Sequence, residues 1–199
     1  MDDSIFPTAL ELRGASVSRV QSLLDEPWRS GACSRGCTTS TKLHWWGARI
    51  GDVGCAELAA RLSARTHNLT NLLLGSNGIG DACMRQIGSL ADEGRLSTLR
   101  ALGLSRNRVT DSGCRSLAAA LERGGVPMLR ELYLSGNAIG DPCAADLGRA
   151  LASPRAAPLE RLGINDLELL TDEGLVALLS PLRATGGGAR TLRESAPPA

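Results

Sequence analysis

The sequence predicts an α/β solenoid of stacked strand–turn–helix units, on three observations. Leucines return in register every thirty residues; an asparagine and an aspartate recur at fixed offsets behind them; and a helix-type apolar spacing follows each aspartate. Leu69, Leu99, Leu129 and Leu159 are thirty apart, with Leu72, Leu102, Leu132 and Leu162 at plus three. Leu74, Leu104, Leu134 and Ile164 come at plus five, Asn77, Asn107 and Asn137 at plus eight, and Ile79, Val109 and Ile139 at plus ten. A fixed period of this length means an array in which each unit covers its neighbour's apolar face.

Each element has its own cause. The L-x-L alternation gives a short strand with one face turned in and the other out. The asparagine turns the chain inward, because its amide can bond turn backbone that no sheet partner reaches, and stacked turns can join into a ladder. Asp52, Asp81, Asp111, Asp141 and Asp172 precede the apolar runs and occupy the place of an N-cap. From Asp111, offsets of three, six, seven and ten give Cys114, Leu117, Ala118 and Leu121, one face of a helix. The small residues at the seventh offset, Ala59, Gly88, Ala118 and Gly148, predict close packing of helix on strand layer.

The ends are less regular. LHWWGARI (43–50) fits as a unit, with Leu43 and Trp45 in the strand positions. LELRGASV (10–17) matches it, but the helix template is then lost, so 1–42 reads as a degenerate N-terminal cap unit and loop. Residues 43–184 form the array, in which Leu167 stands where asparagine belongs. The tail 185–199, TGGGARTLRESAPPA, is Gly/Pro/Ala-rich, a composition expected to be disordered.

A net charge of +1 gives no electrostatic footprint for nucleic acid or an anionic membrane. An aromatic share of only 3 % demands an aliphatic, finely divided core. No apolar stretch approaches the roughly 18 residues of a membrane span, and MDDSIFPTALELRG lacks the apolar segment of a secretory signal. Cys55, Cys83, Cys114 and Cys143 recur once per unit at the helix starts, as small buried hydrophobes do. Cys33 and Cys37, spaced C-x3-C without a second ligand pair or histidines nearby, make weak zinc evidence, and the sequence does not give their role. The expectation is a reduced, cytoplasmic or nuclear protein with no metal and no cofactor.

With these residues placed, the chain resembles the leucine-rich repeat family, and within it the ribonuclease-inhibitor-like class, whose units have the form LxxLxLxxNxIxDxGxxxLxxxL. LGLSRNRVTDSGCRSLAAAL (102–121) and LYLSGNAIGDPCAADLGRAL (132–151) carry that pattern, and the resemblance covers about 43–182. It departs at Cys83 and Cys143, which hold the glycine slot, and at Leu167. The resemblance implies a horseshoe, strands on the concave face and helices on the convex face, and a non-catalytic role in which the concave face binds a protein partner.

The side chains beside the strand leucines would line that face: Lys42, His44 and Trp46; Asn71, Leu73 and Ser76; Ala101, Gly103 and Arg106; Glu131, Tyr133 and Ser135; Arg161, Gly163 and Asn165. Trp46, His44 and Tyr133 stand out as contact candidates because aromatics dominate binding hot spots. Arg106, Glu131 and Arg161 can form a charged stripe that orients a partner. Catalysis finds no support: His44 and His67 lack a nucleophile or carboxylate at a useful spacing, and no phosphate-binding, metalloprotease or serine-hydrolase motif is present. The alternative is a GTPase-activating regulator resembling Ran GTPase-activating proteins, against which stand the basic-to-neutral tail and the small number of units. The expected particle is a monomer or part of a larger assembly.

Overall fold

A computed structural model describes residues 42–64 and 68–184. The cap unit expected in 1–42 therefore lies outside the described residues but for Lys42, as do Cys33, Cys37, His67 and the tail 185–199. Strands and helices alternate: β1 (Lys42–His44), α1 (Gly51–Ala64), β2 (Asn71–Leu73), α2 (Asp81–Asp92), β3 (Ala101–Gly103), α3 (Asp111–Glu122), β4 (Glu131–Tyr133), α4 (Asp141–Ala152), β5 (Arg161–Gly163) and α5 (Asp172–Ala184). The strands form one parallel sheet in chain order. Leu43, Leu72, Leu102, Leu132 and Leu162 stand side by side across it. This is an α/β leucine-rich repeat solenoid, and the repeat leucines occupy equivalent slots.

Those leucines are all at most 5 % exposed and fill the seam between sheet and helices. Each fully buried leucine contributes roughly 1.5–3 kcal/mol, so no unit is stable without the next. The turns are held by an asparagine ladder. Asn137 donates through Nδ2 to the carbonyls of Leu104 and Leu134 and accepts at Oδ1 from the Val109 amide. Asn107 likewise donates to Leu74 and Leu104 and accepts from the amides of Asn77 and Ile79. In the first unit the equivalent slot holds Ala48, fully buried, so the ladder stops at Asn77, whose Oδ1 has no partner among the described residues. In the fifth, Leu167 replaces the amide by a buried apolar side chain.

The aspartates cap differently from the sequence expectation. Asp81, Asp111 and Asp141 are the first helical residues, and the N-cap positions belong to Gly80, Thr110 and Gly140. Each carboxylate instead serves the helix of the following layer. Asp52 accepts from the amides of Gly80 and Cys83, and Asp111 from those of Gly140 and Cys143. Asp81 and Asp141 each accept from both the amide and the hydroxyl of a threonine, Thr110 and Thr171. The N-terminal ends of α2 to α5 are thus each met by a negative charge one layer back. The two bonds from Thr171 hold the Asp141 carboxyl below its ordinary range.

Two further expectations change. The small residues at the seventh helical offset face the next helix, not the strand layer: a Cβ on Gly148 would meet the Leu178 carbonyl oxygen at 2.6 Å, and one on Gly88 the Ser116 carbonyl oxygen at 3.4 Å. The four repeat cysteines, buried as expected, are not free thiols but are joined as Cys55–Cys83 and Cys114–Cys143. Counting from the helix aspartates, Cys55 and Cys114 sit three residues on, Cys83 and Cys143 two. Each bridge joins a cysteine at the third offset to one at the second offset in the following layer.

Candidate interaction surface

The strand face presents three columns of side chains. The register places Lys42, Asn71, Ala101, Glu131 and Arg161 in one and His44, Leu73, Gly103, Tyr133 and Gly163 in the next. The third, two residues on, runs Trp46, Gly75, Ser105, Ser135 and Asn165. Column order follows from the thirty-residue period, so what each layer offers is decided by its substitutions alone.

Large side chains here lie over glycines of the following layer. A Cβ on Gly75 would fall inside the Trp46 indole, one on Gly103 would stand 2.8 Å from Leu73 Cδ2, and one on Gly163 3.0 Å from Tyr133 Cδ1. The glycines of the face are thus recesses already filled by the preceding strand. This corrects the reading of Tyr133 as a projecting contact: its ring lies flat across Gly163, and it is 6 % exposed.

Tyr133 also belongs to a closed polar group. Its hydroxyl donates to Glu131 Oε2 at 3.1 Å, and Arg161 Nη1 donates to Glu131 Oε1 at 2.9 Å. Contact first with the Tyr133 hydroxyl and then with Glu131 raises the pKa of Arg161 further, keeping it charged. Just outside, Arg130 pairs with Glu160. The charged stripe expected across the strands therefore exists only as pairs between β4 and β5; Arg106, exposed in the turn after β3, takes no part in the ion pairs of the described residues.

The β1–β2 side differs. Lys42 and His44 are exposed, and Trp46, Asn71 and Leu73 are half-buried. Lys42 neighbours Asn71 and His44 neighbours Leu73 in the register. Partial burial, and then the Lys42 charge, lower the His44 pKa below its ordinary value. The result is a small aromatic and aliphatic patch bordered by one cation. Among the described residues no cluster of three or more metal-ligating side chains forms, and no helix is long and apolar enough to cross a membrane.

Two features escaped the sequence reading. The covering of Gly75, Gly103 and Gly163 was signalled by a bulky residue 29 or 30 positions before each glycine. The joining of the cysteines had as its signal only their recurrence at nearly the same place in successive layers.

Comparison with known proteins agrees with this architecture. Residues 95–118 and 127–147 match the family model described as Leucine Rich repeat. No curated protein sequence matches the chain. Among solved structures, a tropomodulin C-terminal domain from Caenorhabditis elegans is similar in fold, with a TM-score of 0.56 and 16 % identity over 86 % of this chain and 93 % of that one. At that identity the likeness is one of fold.

Proposed function

We propose, taking as premise a chain that carries leucine-rich repeats in an α/β solenoid, that it is a non-catalytic protein-interaction module whose partner docks on the β1–β2 side of the concave face. The observation that carries this is the contrast within one sheet: Glu131, Tyr133 and Arg161 satisfy one another, while His44 is exposed and Trp46, Asn71 and Leu73 are only half-buried, leaving apolar area facing outward. Aromatic and aliphatic side chains bordered by polar groups are the make-up of binding hot spots. The partner that fits is a protein segment offering an apolar side chain to Trp46 and Leu73. Arg106 and the β4–β5 pairs form the polar rim of the same face. The ribonuclease-inhibitor-like class remains part of this proposal, resting on the repeat pattern of 102–151.

A cytoplasmic or nuclear setting also belongs to the proposal, and the joined cysteine pairs weigh against it, because reducing pools keep cysteines as thiols there. Thiol alkylation of the protein taken directly from its cells decides the point: alkylation of Cys55, Cys83, Cys114 and Cys143 among the six cysteines of the chain supports the reducing setting, and failure of these four to react contradicts it.

The function is tested by affinity capture with the parent beside Trp46→Ala/Leu73→Gln and Arg161→Ala chains. A partner kept by the parent and by Arg161→Ala but lost from the double variant supports the proposal. Retention by the double variant contradicts it. A small GTPase whose hydrolysis is accelerated by catalytic amounts of the chain would overturn the non-catalytic reading in favour of a GTPase regulator.

A further inference from the structure

The turn edge, where each strand swings round towards its helix, carries charge that the rest of the molecule does not use. Gly47, Ser76, Arg106, Gly136 and Asp166 share one left-handed slot there, with φ between 54° and 68°. Two residues on, the last three layers present Arg108, Ala138 and Glu168. At these two slots the β3 layer is doubly basic, the β4 layer small and neutral, and the β5 layer doubly acidic. Arg106, Arg108, Asp166 and Glu168 are all exposed, and none takes part in an ion pair among the described residues. Elsewhere charges pair with the next layer, as Arg123 does with Asp92 and Arg115 with Asp146.

The β4 layer keeps the two signs apart within one chain. Strands lie about 4.8 Å apart, which sets the backbones of Arg106 and Asp166 roughly 10 Å from each other. Between them stand Gly136 and Ala138, neither with a side chain longer than a methyl group. The stem of Arg106 leans over Gly136, where an added Cβ would stand 3.1 Å from its Cγ. The basic group is thereby tilted towards the middle of the row.

Such an order is its own complement. A two-fold axis lying across the edge at the β4 layer exchanges the β3 and β5 layers and keeps each column opposite itself. It sets Arg106 against Asp166 of a second copy and Arg108 against Glu168 of that copy. Each pairing then occurs twice, as a self-complementary two-fold contact requires. Gly136 and Ala138 meet their own counterparts on the axis, where the lack of bulk lets the two edges approach. Asp172 and Glu173, exposed at the start of α5, add to the sign of the acidic layer.

We infer that the protein associates with a second copy of itself, two-fold symmetrically, through the turn edge of its β3 to β5 layers. The contact leaves the β1–β2 side of the strand face open and is independent of the partner proposed for it. Exposed ion pairs are individually weak and screened by salt, so the association is reversible and salt-sensitive.

Sedimentation velocity of the full chain over a range of concentrations tests this, at about 0.05 M and about 0.5 M salt. The expected result is a dimer whose dissociation constant rises at least about tenfold at the higher salt. Two charge-reversed chains, Arg106→Asp/Arg108→Glu and Asp166→Arg/Glu168→Arg, place in the left-handed slot a residue type the fold already carries there. Each alone stays monomeric, because like charges then face each other, and an equimolar mixture of the two forms a heterodimer. Arg108→Gln/Glu168→Gln, which leaves the left-handed residues untouched, weakens the dimer. All variants are checked for the parent's circular-dichroism spectrum. A parent that is monomeric at every concentration overturns the inference, as does a mixture of reversed chains that stays monomeric. A dimer that the Gln variant or the reversed chains keep at parent strength also overturns it, moving the contact elsewhere, such as the apolar end around Leu169 and Val176.

Discussion

The two ends of the strand face are built on one template and behave as opposites. At β4–β5, Glu131, Tyr133 and Arg161 close on one another, and Tyr133 lies against Gly163. At β1–β2, His44 and Leu73 are neighbours in one column, and Trp46, half-buried, covers Gly75. Satisfied charges on one side and accessible apolar area on the other are the difference on which the proposed binding site rests. The template itself is indifferent to it.

The largest way to break this comparison acts on the shared template. Leu132 is fully buried at the middle of the register, and Leu132→Ala is expected to cost about 2–5 kcal/mol in denaturant unfolding. A variant that unfolds like the parent contradicts the layer assignment.

The asparagine ladder sharpens the contrast between the ends. Asn137→Ala strips a partner from the carbonyls of Leu104 and Leu134 and from the Val109 amide. Asn77→Ala strips only the carbonyls of Trp45 and Gly75. A buried group left unpaired costs roughly 1–3 kcal/mol, so Asn137→Ala should be the more destabilising of the two in thermal melts. The reverse order would mean that the first layer is tied to Asn77 more firmly than its bonds indicate.

Binding separates the two sides. Trp46→Ala should weaken the partner by more than about 1 kcal/mol, as truncation of an anchoring aromatic does, while Tyr133→Phe leaves affinity unchanged. Tyr133→Phe removes the bond to Glu131 and should instead appear as a stability loss of about 0.5–1.5 kcal/mol. Titration of the captured complex and melting of the free chain read the two effects separately.

The smallest effect is a pH dependence on the β1 side. The pKa of His44 is lowered in the folded chain by burial and by Lys42, so between that value and the ordinary histidine range the unfolded chain holds a proton the folded one lacks. Stability is complete above that window and falls as pH drops through it. His44→Gln should flatten this part of the stability–pH curve; an unchanged slope would show that another group titrates there.

Much of the fold was legible because it is written once per layer. Leu72, Leu102 and Leu132 align since equal spacing in the chain becomes equal position in the stack, and Asn107 and Asn137 bond as their turn position requires. What escaped the reading is what passes between layers. The carboxylate of Asp111 reaches the amides of Gly140 and Cys143, about thirty residues onward, and nothing local to Asp111 distinguishes that from capping its own helix. Tyr133 looks like an exposed aromatic until Gly163 is placed beneath it. The cysteines look like ordinary core residues until Cys114 and Cys143 are set side by side. The candidate site was legible as a set of outward positions, and its division into a paired and an open half was not.

Site-specific photo-cross-linking tests that division most directly, with a photoreactive side chain placed in turn at Asn71, at Arg161 and at the exposed helix residue Arg115. The account predicts a partner adduct from position 71 and none from positions 161 or 115. Adducts from position 161 or 115 with none from 71 would contradict it, moving the partner to the far end of the sheet or to the helical face.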